Sequence, residues 1–212
     1  MKSLPLRTTG VSLIGLIFIY AICFVWLDRP IDVWLHLHAP TSIYYAWSIW
    51  IGEVCKSSHW SILALLAIFI GLACQTGGRK QTGKNWLLIA FSVLIAQFVC
   101  LAFKVILGRY RPELLFSEHL YGFHFLATKH AWTSSPSGHT TSAFAALFAI
   151  GYACRKYWLT VLLLLCAAVI AISRVIITAH YPSDVIFGAY IGIITVVWLN
   201  AIFSNPQGEQ NV

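Results

Sequence analysis

The sequence predicts an all-α polytopic membrane protein, with six transmembrane helices and interfacial helices between the first and second. Three observations carry that prediction. Of the 212 residues, 59% are hydrophobic and only 10% charged, whereas soluble domains carry roughly a quarter charged residues. Apolar runs approaching the ~20 residues that cross ~30 Å of hydrocarbon recur along the whole length. Open strands cannot satisfy their backbone in lipid, so each run is expected to be a helix. The chain reads as a single membrane-embedded domain, residues 1–212, without internal repeats.

The six runs are Gly10–Leu27, Trp60–Cys74, Trp86–Phe103, Thr140–Cys154, Trp158–Ser173 and Val185–Phe203. The first follows Lys2 and Arg7 and ends in the bulky FVWLD. A cleaved signal peptide ends in small residues, so this run is expected to remain as a span. The second, fourth and fifth are short and must draw in flanking residues such as Ser57–His59 and Ser137–His139. Between the first two lies DRPIDVWLHLHAPTSIYYAWSIWIGEVCK, residues 28–56, too long for a linker and too interrupted for a span. Its apolar positions suit helices lying in the interface with aromatics at headgroup depth, or helices packed on the bundle surface.

Lysine and arginine in short loops set orientation. Lys2 and Arg7, then Arg79, Lys80 and Lys84, then Arg155 and Lys156 fall on one side. That side is predicted to be cytoplasmic, with both termini there, in a cytoplasmic (inner) membrane. Lys104, Arg109, Arg111 and Arg174 fall on the other side, against the rule, so topology does not account for them. The net charge of +7 forms no basic stripe interleaved with aromatics, and no nucleic-acid partner is expected. Six cysteines without a CxxC or close pairing read as small buried hydrophobes, not as a disulfide or zinc framework.

Three clusters share the outward side. In KVILGRYRP, Lys104 and Arg111 lie close to two helical turns apart, and Gly108 with Pro112 predicts a helix ending inside the stretch, so that Arg111 curls back toward Lys104. Taken alone, these are also what snorkelling cations look like. In SSPSGHTTSAF, Ser135 and Pro136 precede a helix start, leaving the Ser137, Gly138 and His139 amides as an anion cradle. In SRVIITAHYPSD, Pro182 marks the start of the last helix, Asp184 falls in its first turn, and His180 sits four residues before Asp184. A carboxylate on one ring nitrogen fixes the tautomer and makes the other a better nucleophile. A capped helix with an incidental histidine has the same spacing.

Together the clusters set Lys104, Arg111 and Arg174 against Asp184 alone. One carboxylate is too few for magnesium or calcium, and the three cations repel zinc, so no metal is expected. Three cations, a helix N-terminus and two histidines suit a phosphoryl group, whose transition state spreads charge over its equatorial oxygens.

Read in order, Lys104-x6-Arg111-Pro112, Pro136-Ser137-Gly138-His139 and Ser173-Arg174-x5-His180-x3-Asp184 resemble the three-part signature of the type 2 phosphatidic acid phosphatases, a superfamily shared with vanadium haloperoxidases. The resemblance implies His180 as a nucleophile forming a phosphohistidine, Asp184 as the residue that orients it, and His139 as the general acid. It implies phosphate binding by Lys104, Arg111, Arg174 and the Ser137 and Gly138 amides, with no cofactor. A membrane-embedded enzyme of this kind is expected to take a lipid phosphate, its tail entering laterally between helices, with the site on the periplasmic or extracellular side. Undecaprenyl diphosphate is placed first, ahead of phosphatidylglycerol phosphate, phosphatidate and lipid A phosphate. An anionic-lipid transporter and a lipid phosphotransferase are the alternatives. Glu118, His119, His124, Lys129 and His130, between the first and second clusters, are read either as head-group recognition or as a solvated loop.

Overall fold

A computed structural model describes residues 5–203, and Lys2 and both chain ends lie outside the described residues. Helix α1 (Leu6–Ile22) passes through a π-helical stretch at Cys23–Leu27 directly into α2 (Asp28–His38). The change of pitch falls just before Pro30, which has no N–H to offer the Trp26 carbonyl four residues back. Helix α3 (Ile43–Val54) starts at a capped turn, where the Tyr45 amide donates to Ser42 Oγ at 3.3 Å. Then follow α4 (Ser57–Thr76), α5 (Lys80–Leu107), the short α6 (Pro112–Ser117), a 3-10 turn at His130–Trp132, α7 (Gly138–Cys154), α8 (Tyr157–Ile176) and α9 (Pro182–Phe203). Proline opens both α6 and α9, a position where its missing N–H costs nothing. Among the described residues there is no strand, only one antiparallel bridge between Arg109 and Phe123.

Among the described residues, five helical stretches are long and apolar enough to cross a membrane: Leu6–His38, Ile43–Thr76, Lys80–Leu107, Tyr157–Ile176 and Pro182–Phe203. The sequence led us to expect six. The difference is α7, whose 17 residues rise only about 26 Å. Its start does draw in Gly138 and His139, but Arg155 at φ 54° ends it. The third run is longer than expected, because the polar turn before it is already helical from Lys80.

Helix α7 is short because it is central: it packs against α4, α5, α8 and α9. Its inward positions are small, with Ala143, Ala145, Ala146, Ala149 and Gly151 all buried. Facing it, α9 carries Gly192, where a Cβ would stand 2.8 Å from the Ala145 amide nitrogen. Small residues let helices approach closely where lipid supplies no hydrophobic drive between them.

The bundle has two chemically distinct ends. At one, Lys84, Arg155, Lys156 and Phe203 line a common recess, and Trp198 Nε1 donates to Thr9 Oγ1 at 2.9 Å. The start of α1, the end of α9 and these orientation cations therefore share that end. At the other, α2 and α3 close over the bundle, α3 lying on α8. Trp34, Trp47 and Trp50 face outward while Asp28, Asp32, Ser48 and Gly52 are buried. The segment thus presents an aromatic outer face and packs on the bundle at once.

Candidate active site

The three sequence clusters meet at the end covered by α2 and α3. Helix α5 stops at Gly108, whose φ of 55° turns the chain back. A Cβ at Gly108 would run into the His124 carbonyl. Arg111 returns as expected: its Nε donates to the His130 carbonyl at 2.8 Å, and its Nη1 to the Ala179 carbonyl at 3.1 Å. Lys104 Nζ donates to the Thr133 carbonyl at 2.7 Å. The first cluster is thereby fastened to the residue before His180 and to the approach to α7.

His180 lies in the tight turn between α8 and α9, its amide donating to the Arg174 carbonyl at 3.3 Å. Arg174, on the last turn of α8, donates from Nη2 to the Ser48 carbonyl of α3 at 2.7 Å. Gly52 lies flat against that guanidinium, and any Cβ there would overlap it. His139 is the second residue of α7, within the fields of Arg174, Arg111 and Lys104. Gly138 packs closely too, since a Cβ would stand 3.2 Å from Ser57 Oγ and 3.9 Å from Lys104 Cε.

Of the three amides expected to be free at the start of α7, one is engaged. The Ser137 amide donates to the Asp184 carbonyl at 3.0 Å, and its buried hydroxyl accepts from Thr140 Oγ1 at 3.1 Å. Ser137 therefore ties α7 to α9. The Gly138 and His139 amides, at the first two helical positions, have no acceptor within the helix.

Asp184 is also placed differently from the simple pairing. His180 Nδ1 stands 3.8 Å from Asp184 Oδ2, beyond a direct hydrogen bond, and 3.5 Å from Ser134 Oγ. Ser134 Oγ in turn donates to Asp184 Oδ2 at 2.5 Å, and the Tyr181 amide donates to the same oxygen at 3.1 Å. A hydroxyl thus links carboxylate and imidazole. Burial holds His180 well below its usual imidazole range; Arg111 and Lys104 push the same way, against Asp184. The ring is neutral, and Nδ1 is the nitrogen facing the carboxylate.

Behind Asp184 is a network that sequence reasoning did not assign to the site. Arg109, fully buried, donates from Nη1 to Asp184 Oδ1 and Ser183 Oγ, each at 2.5 Å, and from Nη2 to Asp28 Oδ2 at 2.6 Å. Its guanidinium lies 4.4 Å from the Tyr181 ring centroid and 5.1 Å from that of Phe24. Burial opposes its charge, but Asp184, Tyr20 and Asp28 raise it further, and it stays a cation. The sequence did carry a signal: Arg109 was among the cations topology did not explain, and Asp28 is a carboxylate at a hydrocarbon edge.

Of the loop residues weighed for head-group recognition, His130 alone lines the polar recess beside Arg111, about 630 Å³, together with His36, Glu113 and Phe116. The His124 ring is tilted against Trp132, with centroids 4.5 Å apart, and Lys129 lies over the same ring.

A basic, two-histidine cluster thus lies at one end of an all-helical bundle with membrane-spanning helices. Residues 85–207 match the family model of the PAP2 superfamily, and the chain belongs to that superfamily. It is 35% identical over 115 residues to the lipid A 1-phosphatase of Rhizobium johnstonii, covering 51% of this chain and 44% of that protein. It is 31% identical over 150 residues to the protein of Escherichia coli named "putative undecaprenyl-diphosphatase YbjG", covering 70% of each. The chain thus spans less than half the length of the lipid A 1-phosphatases it matches. Its fold matches the crystal structure of a PAP2-type phosphatidylglycerolphosphate phosphatase from Bacillus subtilis, with a TM-score of 0.57 and 18% identity over 93% of this chain and 98% of that one.

Proposed function

We propose that the chain is a membrane lipid phosphatase that removes a phosphate from a lipid phosphomonoester or diphosphate through a phosphohistidine. The observation that carries this reading is that Lys104 and Arg111 act on both His180 and His139, with Arg174 acting on His139 and Asp184 behind His180. The Nε2 lone pair of His180, the nitrogen away from Asp184, attacks phosphorus. The bond to the lipid or phosphate leaving oxygen breaks, and His139 donates its proton to that oxygen. Water then attacks the phosphohistidine, giving its proton to His139, and inorganic phosphate leaves. The three cations and the Gly138 and His139 amides hold the equatorial oxygens, where charge accumulates. No step calls for a metal or cofactor.

A lipid substrate is supported by an apolar groove of about 910 Å³ between α1, α5 and α9, lined by Leu13, Ile17, Val99, Phe103 and Phe187 among others. It rises to Tyr20, whose hydroxyl accepts from Arg109, so a tail lying there would end beside the site. Undecaprenyl diphosphate is the substrate we place first, supported by the relative matched over most of both chains. Lipid A phosphate is the next, supported by the 35% identity to a lipid A 1-phosphatase. The loop cations support an orientation with both termini cytoplasmic and the site on the outer face of a cytoplasmic membrane. The single-domain reading is supported within the described residues by α2 and α3, which contact Arg109 and Arg174 from outside the matched region.

The test is phosphate release by purified protein from a panel of undecaprenyl diphosphate, lipid A, phosphatidylglycerol phosphate and phosphatidate, with EDTA present. Release is expected to continue in EDTA, to be inhibited by vanadate, and to vanish in His180→Ala. Unchanged release by His180→Ala would refute the phosphohistidine. Transfer of the phosphate to an added acceptor alcohol in place of water would make it a phosphotransferase.

A further inference from the structure

Asp184 is the negative charge set against the imidazole, yet Arg109 donates to it at 2.5 Å with neither group exposed. A buried guanidinium so placed would cancel the charge Asp184 offers to His180. Asp28 prevents that. It lies at the junction of the π-helical stretch and α2, fully buried, on the opposite side of the same guanidinium, with Oδ2 2.6 Å from Arg109 Nη2. Asp28, Arg109 and Asp184 together carry one net negative charge, the charge Asp184 alone would have had in the absence of Arg109.

Asp28 is also fixed to the helix that carries Asp184. Its Oδ1 accepts from the Ser183 amide at 3.0 Å, and its Oδ2 from Ser183 Oγ at 2.5 Å. Tyr121 closes the far side, its hydroxyl donating to the Phe24 carbonyl at 2.6 Å. Nearby Asp32 is equally buried, but neither of its oxygens has a hydrogen-bond partner among the described residues. The two aspartates therefore differ in one respect: Asp28 grips Arg109 and Ser183, and Asp32 grips nothing.

We infer that Asp28 is a positioning residue for the reaction, acting through Arg109 to hold Asp184 in place and to preserve its charge for His180. The inference rests on the proposed phosphohistidine chemistry. As Nε2 bonds to phosphorus the ring gains positive charge, and a cluster of net charge minus one stabilises that gain where a neutral cluster does not. Asp28 touches neither the phosphate cations nor the start of α7, so substrate binding is independent of it. Its loss should fall on kcat and leave KM in place.

The experiment compares Asp28→Asn, Asp32→Asn, Ser183→Ala and His180→Ala in the full-length protein, on whichever lipid of the panel the wild type hydrolyses. Asp28→Asn is expected to lower kcat by about tenfold or more, with KM and the vanadate inhibition constant within about twofold of wild type. Asp32→Asn should stay within about twofold in kcat. Ser183→Ala, which removes only a hydroxyl, should show a smaller kcat loss of the same kind and keeps the test open should Asp28→Asn fail to fold. The inference is overturned if Asp28→Asn keeps wild-type kcat, if Ser183→Ala keeps it where Asp28→Asn does not fold, if Asp32→Asn falls as far as Asp28→Asn, or if KM rises in step with the kcat loss. His180→Ala separates the levels: an active His180→Ala sinks the nucleophile, whereas an inactive one beside an unimpaired Asp28→Asn sinks only the role of Asp28.

Discussion

At the scale of single residues, the neutral state of His180 has a consequence for stability. Its folded pKa is held below the value near 6.5 that an unfolded histidine has. Between those two values the unfolded chain binds a proton that the folded chain does not, so stability falls as pH drops below about 6.5. His180→Gln removes that term. Thermal melts between pH 7.5 and 5 should show a smaller acid loss in His180→Gln than in wild type, and equal losses would contradict a buried neutral ring. For the same reason His180 is ready as a nucleophile at neutral pH without losing a proton. The Ser134 hydroxyl between it and Asp184 is the kind of contact that spacing does not reveal, because it comes from fifty residues away.

At the scale of elements, α3 is the informative one. Its outer aromatics say membrane interface, but its inner face is shaped around Arg174, through the Ser48 carbonyl and the bare Cα of Gly52. Gly52→Val should displace the guanidinium and lower kcat/KM by about tenfold or more, the worth of one charge-assisted hydrogen bond to phosphate. Steady-state kinetics would show this mainly in KM. Glu53→Gln, one position on, loses its bond to exposed Lys56 and a longer-range attraction to Arg174, and should change KM less than Gly52→Val. A Gly52→Val enzyme with wild-type KM would mean that Arg174 does not bind the substrate phosphate. Helix α7 makes the complementary point: its buried small residues let it run through the centre of the bundle and bring His139, at its first turn, to the end where the three clusters meet.

At the scale of the whole molecule, the end carrying Lys84, Arg155 and Lys156 and the end carrying the two histidines are opposite poles of one bundle. Topology by loop charge assigns the second pole to the outside. A cysteine replacing exposed Thr128 should therefore react with an impermeant thiol reagent added to intact cells. Labelling only after the membrane is opened would invert the orientation. The fourth apolar run and α7 coincide, so the shortfall to five lies in the length of one helix and leaves the order of segments intact.

Helical class, segment order and the gathering of the three motif clusters at one end of the bundle were legible in the sequence, because each rests on local properties. Hydrophobic run length fixes a span, proline and glycine fix where α5 stops and α9 starts, and cations that loop topology does not explain point to a site. What only the tertiary structure decided is which residues stand behind that first layer. Asp28 and Asp184 are 156 positions apart, and nothing in a single sequence couples them. Their meeting at Arg109 is a result of α1, its π-helical turn and α9 closing on the same buried point. A charge buried there needs partners that distance along the chain cannot announce. The free amide expected at Ser137 was lost to Asp184 for the same reason: local spacing offers a donor, and packing chooses its acceptor.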